Sequence, residues 1–374
     1  MEEQIRFMKM AIRLAEKGAG WVNPNPLVGA VIVKDGKVIG QGYHEYFGGP
    51  HAEVNAIRNA KEDVRGAHLY ITLEPCCHKG KTPPCAPFVA ESGITEVTVG
   101  MVDPNPLVQG KGIACLKEKG IRVNSGIFEK EIRKQNEAFI KYITTGFPFC
   151  TLKIAMSLDG KTATSSGESK WISCIKSRDK VHDMRRHCSA IMVGINTVLN
   201  DDPILSCRMK TGKVKDPVKV IVDSRGKIPL TAMVLQHEPQ RMILATTALA
   251  KKQKLQEIER LGAQVIVCPE KDVRVDLKYL FKALGVMGID SILLEGGSTL
   301  AFSAIREGLV DKAVVFIAPR ILGGKNSYTP VGGDGFEPLS NAMGVHDWKV
   351  SGSGDDIMIE GYLNKQEDLK EKES

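Results

Sequence analysis

The sequence lacks the features that would direct the protein to a membrane, a secretory route or a nucleic acid. No apolar run reaches the roughly 18 residues that a membrane-spanning helix requires. The acidic start Met1-Glu2-Glu3-Gln4 precedes no uninterrupted apolar segment, so no secretory signal is predicted. Blocks of five or six like charges are also missing, although the formal net charge is +7. We therefore expect a cytoplasmic protein whose partners are small molecules, with neither nucleic acid nor membrane among them.

Regular disulfide spacing and the common dinucleotide-binding motif are absent as well. The nine cysteines form no pattern of paired spacings, which predicts reduced thiols, some of them available to a metal. We expect six of them to be small buried side chains, namely Cys115, Cys150, Cys174, Cys188, Cys207 and Cys268. No G-x-G-x-x-G motif follows the first strand predicted in the second half of the chain, so a Rossmann fold is not supported there.

Two short stretches in the first half carry residue types that bind metal. One contains His51 and, two residues later, Glu53; the other contains Cys76 and Cys85. Zinc with three protein ligands keeps a fourth position for water, which becomes acidic near neutral pH. Glu53 can carry protons to and from that water. An H-x-E motif followed by Pro-Cys is the layout of a zinc deaminase, although eight residues, instead of two, separate the cysteines here.

The predicted helices bring these residues towards one place. His51 follows Gly-Gly-Pro and opens a helix. Side chains two positions apart diverge in the middle of a helix, but at its first turn both His51 and Glu53 can reach a site beyond the helix end. Cys85 opens the next helix, whose N-terminus stabilises a thiolate over a thiol. Cys77 and His78 are competing ligands by residue type, so a closed structural zinc with four ligands stays open as an alternative.

The length of 374 residues and a break in the pattern predict two α/β domains. Strands alternate with helices in both halves, which is typical of an α/β architecture with ligands bound beyond the strand ends. A linking helix is predicted over 128–142, and the break at 145–148 contains Gly and Pro. The predicted domains are 1–146 and 147–364, followed by a charged tail at 365–374 that we expect to be disordered. In the second domain, a Gly-Gly pair joins a predicted strand to a predicted helix, where backbone amides can hold a pyrophosphate.

Residues 74–85 resemble the E-P-C-x-H-x-G-K-T-P-P-C segment of the bifunctional riboflavin-biosynthesis deaminase/reductases, and they match it throughout. Three blocks of the second half, 152–161, 169–172 and 193–203, resemble the reductase part of the same family. The resemblance extends roughly over residues 8–362. It implies a cytidine-deaminase-like three-layer domain with one zinc ion per chain, followed by a dihydrofolate-reductase-like domain that uses NADPH.

The resemblance also implies roles for individual residues. The zinc ligands would be His51, Cys76 and Cys85, with position 77 variable. The deaminase substrate pocket would be lined by Asn25, His44, Lys81, Asp103 and Asn105. The cofactor-contacting positions match Ala155, Trp171, Thr197, Asp201, Ser224 and Gly297. The positions that hold the sugar phosphate match Ser169, Arg185, Leu205, Arg208 and Glu295.

Elementary chemistry agrees with part of this assignment. Two guanidinium groups and one hydroxyl, from Arg185, Arg208 and Ser169, suit a phosphate dianion. Lys153, on the first strand of the second domain, is a candidate for proton delivery during reduction.

We therefore predict an enzyme for two consecutive steps of riboflavin synthesis. The first step would hydrolytically deaminate 2,5-diamino-6-ribosylamino-4(3H)-pyrimidinone 5′-phosphate, and the second would reduce its ribosyl side chain to ribityl with NADPH. Two rival hypotheses stay open: a nucleic-acid deaminase of the tRNA-adenosine type with an accessory domain, and a zinc-stabilised binding module without activity. The sequence is compatible with a homo-oligomer and does not define its size.

Overall fold

A computed structural model of the chain describes residues 2–77, 83–208 and 214–363. The chain divides into two compact units, Met1–Gly146 and Phe147–Ser374. Within the described ranges, no helix is both long enough and apolar enough to cross a bilayer. The charged tail expected at 365–374 lies outside the described residues.

The first unit is a mixed sheet with helices packed against it. In chain order its elements are α1 (Glu2–Ala15), β1 (Gly29–Lys34), β2 (Lys37–Tyr43), α2 (Ala52–Arg58), β3 (His68–Leu73), α3 (Cys85–Glu91), β4 (Glu96–Met101), α4 (Lys111–Glu118), β5 (Arg122–Ser125), α5 (Glu129–Gln135) and α6 (Glu137–Thr145). In the described part of this unit the sheet has five strands in the order β2-β1-β3-β4-β5. β1 pairs antiparallel with β2 and β3, whereas β3, β4 and β5 run parallel.

The three layers of this unit follow from close packing at two glycines. A side chain on Gly29 would collide with the α1 backbone at Ala11, and one on Gly42 would collide with the α2 backbone at Ala56. Ala30 is the antiparallel partner of Gly42, so Gly42 points to the face opposite to that of Gly29. The helices α1 and α2 therefore cover opposite faces of the sheet, with its apolar residues buried between them.

The parallel strands β3 and β4 end side by side. Leu73 pairs with Met101, and the Glu74 backbone N–H donates to the Met101 carbonyl oxygen at 3.0 Å. The carboxyl ends of parallel strands share one edge of a sheet, so the segments after β3 and after β4 lie next to each other. The fold thereby brings the Pro-Cys segment beside the loop that contains Asp103 and Asn105.

The predicted linking helix over 128–142 is two helices in the structure, α5 and α6, which meet at the buried Asn136. The Asn136 side chain accepts from the Leu27 N–H at 2.8 Å and donates to the Leu27 carbonyl oxygen at 3.1 Å. These bonds fix the helix junction against the segment before β1. Local periodicity cannot reveal this break, because the partner residue lies 109 positions away.

The second unit contains a long sheet that is parallel over most of its width. In chain order its elements are β6 (Phe149–Ser157), α7 (Ile175–His187), β7 (Ala190–Gly194), α8 (Ile195–Asp201), β8 (Val218–Val222), α9 (Met233–Gln236), β9 (Met242–Thr246), α10 (Lys252–Arg260), β10 (Gln264–Val267), β11 (Glu270–Lys271), β12 (Arg274–Val275), α11 (Leu277–Val286), β13 (Ser291–Glu295), α12 (Ser298–Arg306), β14 (Lys312–Ala318), β15 (Val345–Ser353) and β16 (Asp356–Leu363). Among the described residues the sheet has nine strands in the order β10-β9-β8-β7-β13-β6-β14-β16-β15. The neighbours from β10 to β14 are parallel, and the last two pairings are antiparallel. β11 and β12 form a separate hairpin.

From the sequence, residues 356–362 are predicted to form a late edge strand, and that position at the edge is wrong. β16 lies inside the sheet between β14 and β15, and β15 forms the edge. Nearly all residues of β15 are exposed, with Trp348 at 64% and Val350 at 51%. A strand exposed on both faces has no apolar alternation, so the sequence pattern does not indicate it.

Candidate active sites

Three side chains of the first unit converge where α2 and α3 begin. His51 immediately precedes α2, Cys76 lies in the segment after β3, and Cys85 is the first residue of α3. The His51 Nδ1 atom lies 3.7 Å from Cys76 Sγ and 3.2 Å from Cys85 Sγ. One ligand atom from each residue lies within 4.8 Å of the other two. This donor set of one imidazole and two thiols, at this spacing, fits a zinc ion.

The protonation of the two thiols also fits a cation. Hydrogen bonds from Cys85 lower the pKa of Cys76 to about 4, helped by His51 and opposed by burial. One of these bonds is donated by the Cys85 backbone N–H to Cys76 Sγ, at 3.4 Å. The interaction with Cys76, together with burial, raises the pKa of Cys85. The environment thus favours the thiolate at Cys76, and the thiolate is the form in which cysteine binds a metal.

Glu53 lies in the first turn of α2, beside these ligands, and is 3% exposed. Burial raises the pKa of Glu53 to about 7, although His51 acts in the opposite direction. A carboxyl group with a pKa near neutral both accepts and releases a proton at working pH. The geometry thus separates three side chains suited to hold a metal from a fourth suited to carry a proton.

Asn25 and His44 form a rigid pair close to the metal ligands. The Asn25 Nδ2 atom lies 3.1 Å from His44 Nε2, and His44 Nδ1 lies 3.1 Å from the Pro50 carbonyl oxygen. The amide nitrogen only donates and the carbonyl only accepts, so His44 is neutral with its proton on Nδ1. Burial lowers the pKa of His44, which agrees with the neutral form. The His44 ring meets the His51 ring edge-on, with centroids 5.3 Å apart.

Asp103 and Asn105 shape the loop after β4. The Asp103 carboxylate accepts from the Asn105 N–H at 2.9 Å, and the Asn105 side chain accepts from the Leu107 N–H at 3.1 Å. Such side-chain bonds to the backbone two residues on fix tight turns. Burial raises the pKa of Asp103 to about 6, with a further increase from the nearby Glu74 carboxylate.

The remaining candidates of this half contribute less. Lys81 and His78 belong to the segment 78–82, outside the described residues. Cys77 is half-buried and does not belong to the group of converging ligand atoms. Burial raises the pKa of the Cys77 thiol, which disfavours the thiolate that a metal requires.

A second cluster of ligand types lies in the second unit and consists of Asp216, His237 and Glu238. The Lys219 ammonium group donates to the His237 carbonyl oxygen and is attracted by the carboxylates of Glu238 and Asp216. The buried lysine thus already supplies the positive charge at this cluster. We do not assign a metal to it.

The residues expected at the reductase site line a single cavity of about 1330 Å³ in the second unit. These residues are Lys153, Ala155, Ser169, Trp171, Arg185, Thr197, Asp201, Leu205, Arg208, Ser224, Glu295 and Gly297. Several of them lie at or just beyond the carboxyl ends of β7, β8 and β13, where α/β sheets bind ligands. A single-ligand site usually has roughly 300–1,000 Å³, so this cavity has room for a dinucleotide and a second substrate.

A cluster of charged side chains, Lys153, Arg185 and Glu295, contributes to the lining of this cavity. Arg185 donates through Nε and Nη2 to the two carboxylate oxygens of Glu295, at 2.6 and 2.8 Å, and through Nη1 to the Ser206 carbonyl oxygen at 3.0 Å. Arg185 therefore differs from the sequence-based expectation of a guanidinium fork open to phosphate. Lys153 is the strand neighbour of Glu295 across β6 and β13. Burial lowers the pKa of Lys153, and the attraction of Glu295 only partly offsets it.

Three further residues of the cavity, Ser169, Arg208 and Trp171, are called the rim here because they lie at or near its exposed surface. The Ser169 hydroxyl donates to Asp201 Oδ1 at 3.3 Å. Arg208 donates its backbone N–H to His182 Nδ1 at 3.2 Å, and its side chain is exposed at the cavity. Trp171 is 61% exposed, and the Arg178 guanidinium carbon lies 4.5 Å from its ring centroid.

The predicted glycine pair is at the start of α12. Gly296 and Gly297 have φ angles of 79° and 88°, a conformation that favours glycine. Gly297 is the N-terminal cap of the helix, and no side chain caps it. A Cβ on Gly296 would lie 3.1 Å from the Thr197 hydroxyl oxygen, so glycine also fits the space at this turn. Backbone amides at such a helix start can hold a phosphate group.

Sequence reasoning missed Glu74 of the deaminase site and several cations of the reductase cavity, Arg225, Lys227 and Arg274 among them. Glu74 has a signal in the sequence, since it directly precedes the Pro-Cys pair. Arg225, Lys227 and Arg274 have none, because two separate segments bring them to the same cavity. The hydroxyl of Ser224 accepts from the Val275 N–H at 3.1 Å and so joins the loop after β8 to the β11–β12 hairpin.

Together the two sites define a two-domain enzyme that combines a zinc-type deaminase domain with a reductase domain for a nicotinamide cofactor. Residues 1–101 match the family model described as the cytidine and deoxycytidylate deaminase zinc-binding region. Residues 148–358 match the family model of the RibD C-terminal domain.

Known proteins agree over almost the whole chain. The riboflavin biosynthesis protein RibD of Actinobacillus pleuropneumoniae is 45% identical over 95% of this chain and 94% of that protein. The structure of Acinetobacter baumannii RibD superposes with a TM-score of 0.88 at 38% identity, covering 97% of this chain and 99% of that one. A Thermotoga maritima diaminohydroxyphosphoribosylaminopyrimidine deaminase/5-amino-6-(5-phosphoribosylamino)uracil reductase gives a TM-score of 0.84 at 39% identity, with coverage of 97% and 99%. The chain belongs to the RibD family and is a bifunctional deaminase/reductase. The two rival hypotheses are therefore not favoured.

Proposed function

We propose that residues 1–146 hydrolytically deaminate 2,5-diamino-6-ribosylamino-4(3H)-pyrimidinone 5′-phosphate, and that residues 147–364 reduce the ribosyl side chain of the product to ribityl with NADPH. The observation that carries the first activity is the convergence of His51, Cys76 and Cys85 beside the buried Glu53. The name of the Thermotoga maritima relative supports the same pair of substrates.

In the deaminase domain, His51 Nδ1 and the two sulfur atoms would hold one zinc ion per chain. Zinc bound in this way supplies an acidified water. Beside this site, Glu53 would accept a proton and deliver it to the departing amino group, which leaves as ammonia. The pKa of about 7 that burial gives Glu53 suits both halves of this transfer.

The pyrimidine ring would be oriented by Asn25, Asp103 and Asn105, with Lys81 from the segment outside the described residues. The contact with His44 holds the Asn25 amide through its nitrogen, and its oxygen would accept a hydrogen bond from the substrate. His44 acts here as a holder of Asn25, because both of its ring nitrogens already have partners.

In the reductase domain, NADPH would lie along the cavity with its pyrophosphate at the start of α12. NADPH supplies the hydride. The opened sugar ring must also take up a proton at its oxygen. Lys153, which lines the cavity, would donate it. The lowered pKa of Lys153 favours release of that proton. Glu295, held by both donors of Arg185, balances the remaining charge.

Three cations that line the cavity support the proposal that the cofactor is NADPH and not NADH. Arg225, Lys227 and Arg274 line it with exposed side chains, and within the described ranges none of them forms an ion pair. Lys271, on the β11–β12 hairpin, instead forms an ion pair with Glu307 at 3.2 Å. Unpaired cations suit the additional phosphate that distinguishes NADPH from NADH.

The substrate phosphate would be bound at the rim by Ser169 and Arg208. Arg185 contributes through Glu295, since its donors are already occupied within the protein. This differs from a clamp of two free arginines and places most of the phosphate affinity on Arg208.

One experiment tests both activities of the full chain. The purified zinc-loaded protein is given the pyrimidine phosphate and NADPH, and ammonia release and NADPH oxidation are followed together. We expect one NADPH oxidised for each ammonia released, with oxidation lagging behind. Ammonia release from adenosine in tRNA, without release from the pyrimidine phosphate, would contradict the proposal.

A further inference from the structure

Glu74 is a buried carboxylate that accepts hydrogen bonds from three backbone N–H groups. It is 3% exposed, and its Oε2 atom accepts from the Asp103 N–H at 3.2 Å and from the Gly110 N–H at 2.9 Å. Its Oε1 atom accepts from the Ile113 N–H at 3.0 Å. Among the described residues, no Lys, Arg or His forms an ion pair with it. Within the described ranges, the carboxylate is thus held by peptide N–H groups, in hydrogen bonds roughly twice as strong as neutral ones when the acceptor is charged.

Two of these bonds replace a missing helix cap. Gly110 is the N-terminal cap residue of α4, and no side chain of its own segment caps the helix. The first N–H groups of a helix have no partner within it and must be satisfied from outside. Glu74 binds those of Gly110 and Ile113, and its negative charge is favourable at the positive end of the helix.

The third bond reaches the substrate side of the deaminase site. In this bond Glu74 accepts from the N–H of Asp103. The Asp103 carboxylate in turn accepts from the Asn105 N–H. On its other side, Glu74 is two residues before the metal ligand Cys76 in the same extended segment. Both ends of the loop 103–110 are thus tied to one carboxylate.

The neighbouring backbone leaves little room for this arrangement to shift. A Cβ on Gly112 would overlap the Pro75 carbonyl oxygen, so the start of α4 lies directly against the segment between Glu74 and Cys76. The Cys76 carbonyl oxygen accepts from the Ala86 N–H at 3.0 Å, which joins the same segment to α3. The metal-binding segment and the substrate loop therefore form one packed unit with Glu74 at its centre.

We propose that Glu74 is a positioning residue of the deaminase, which sets the distance between the metal ligand Cys76 and the substrate-binding side chains of Asp103 and Asn105. The proposal rests on the proposed deaminase function. Glu74 touches neither metal nor substrate and acts through the loop that it holds. A misplacement of about 1 Å at a reacting centre costs on the order of 10²-fold in rate.

The test compares Glu74→Gln with wild type and with Glu96→Gln. The glutamine keeps the size of the side chain, but one oxygen becomes an NH₂ group that cannot accept from the backbone N–H it faces. Glu96 is a matched control in the same sheet, since its carboxylate contacts the side chains of Arg122, Asn124 and His68. Zinc content, the kcat and KM of ammonia release, and reduction of the pre-deaminated compound are measured for all three proteins.

We expect Glu74→Gln to keep one zinc per chain and normal reduction, while kcat/KM of ammonia release per bound zinc falls by about 10²-fold with a higher KM. Glu96→Gln should match wild type. Glu74→Asp keeps the charge but is shorter by one methylene, so its loss should be intermediate. Hydrogen exchange at Asp103, Gly110 and Ile113 should be faster in both Glu74 variants.

Two outcomes would overturn the proposal. Unchanged kcat and KM in Glu74→Gln would show that the loop does not need this carboxylate. Loss of zinc or of folding in both Glu74 variants would make the residue structural instead of positioning. A wild-type protein that releases no ammonia from the pyrimidine phosphate would refute the proposed function itself, which is a separate result.

Discussion

The candidate active sites of the two domains differ in size and in the groups that form them. In the first, three ligand atoms within 4.8 Å of each other and one buried carboxyl group form a small site made by side chains. In the second, side chains from many elements and a glycine-rich turn line a cavity of about 1330 Å³. The difference agrees with the chemistry proposed for each, because a dinucleotide brings its own reactive group and needs mainly orientation.

Two buried glutamates make the same contrast in terms of charge. No cation forms an ion pair with Glu53 among the described residues, and burial raises its pKa to about 7. Burial also acts to raise the pKa of Glu295, but Arg185 and Lys153 lower it overall, so this carboxylate stays ionised. One environment favours proton exchange and the other favours a permanent negative charge. We expect Glu53 to move protons and Glu295 to hold cations in place.

The largest effect that would sharpen this comparison is expected for Lys153→Met in the reductase domain. The substitution removes the proposed proton donor, and groups of this kind contribute about 10²–10⁴-fold. NADPH oxidation with the pre-deaminated compound should fall by that order, while ammonia release continues at the wild-type rate. Lys349→Met, at an exposed position of β15, is the control and should reduce normally. Reduction at the wild-type rate in Lys153→Met would exclude the lysine as the donor.

A smaller effect is expected for Arg225→Ala and Arg274→Ala at the cofactor. Each removes one charged donor, and hydrogen bonds to charged groups contribute about 1.5–3 kcal/mol, or one to two decades in affinity. The preference for NADPH over NADH in kcat/KM should fall accordingly, with NADH itself little affected. Arg260→Ala, at the exposed end of α10, serves as the control. If the NADPH/NADH ratio of kcat/KM is unchanged in both variants, the additional phosphate is not bound by these two arginines.

How far the sequence predicts each domain depends on where its partners lie. The sequence predicts strands at 190–194, 218–222, 242–246 and 264–267, and β7, β8, β9 and β10 have these bounds. Short buried apolar runs of this kind can be recognised from the local sequence alone. The Asp-Gly pair at 35–36 predicts a tight hairpin turn, which is confirmed, with φ angles of 49° and 72° as such a turn requires. By contrast, the exposed strand β15 and the helix break at Asn136 depend on contacts that local pattern does not show.

The two candidate sites also differ in how much of them the sequence predicts. The motif spacing leads to His51, Cys76 and Cys85 as a group, and the structure brings them together. It does not reveal that Arg185 binds Glu295, because that partner is 110 residues away and the arginine could equally face solvent or phosphate. Long-range pairs of charged residues are therefore what the structure adds to the reductase site.

The smallest effect is expected for Cys77→Ser beside the metal ligands. Cys77 lies outside the converging group, and burial disfavours its thiolate. The variant should retain one zinc per chain and nearly full deamination, whereas Cys85→Ser should lose both. Metal analysis of the two purified proteins decides the assignment. Zinc lost from Cys77→Ser and kept by Cys85→Ser would reverse it.

The most direct test of two independent active sites is Glu53→Gln, assayed for each half-reaction separately. The glutamine keeps the size of the side chain but cannot carry a proton, so ammonia release should fall by about 10²–10⁴-fold. The variant should still bind one zinc and should reduce the pre-deaminated ribosylamino compound at the wild-type rate. Loss of that reduction while zinc stays bound would contradict the separation of the two sites.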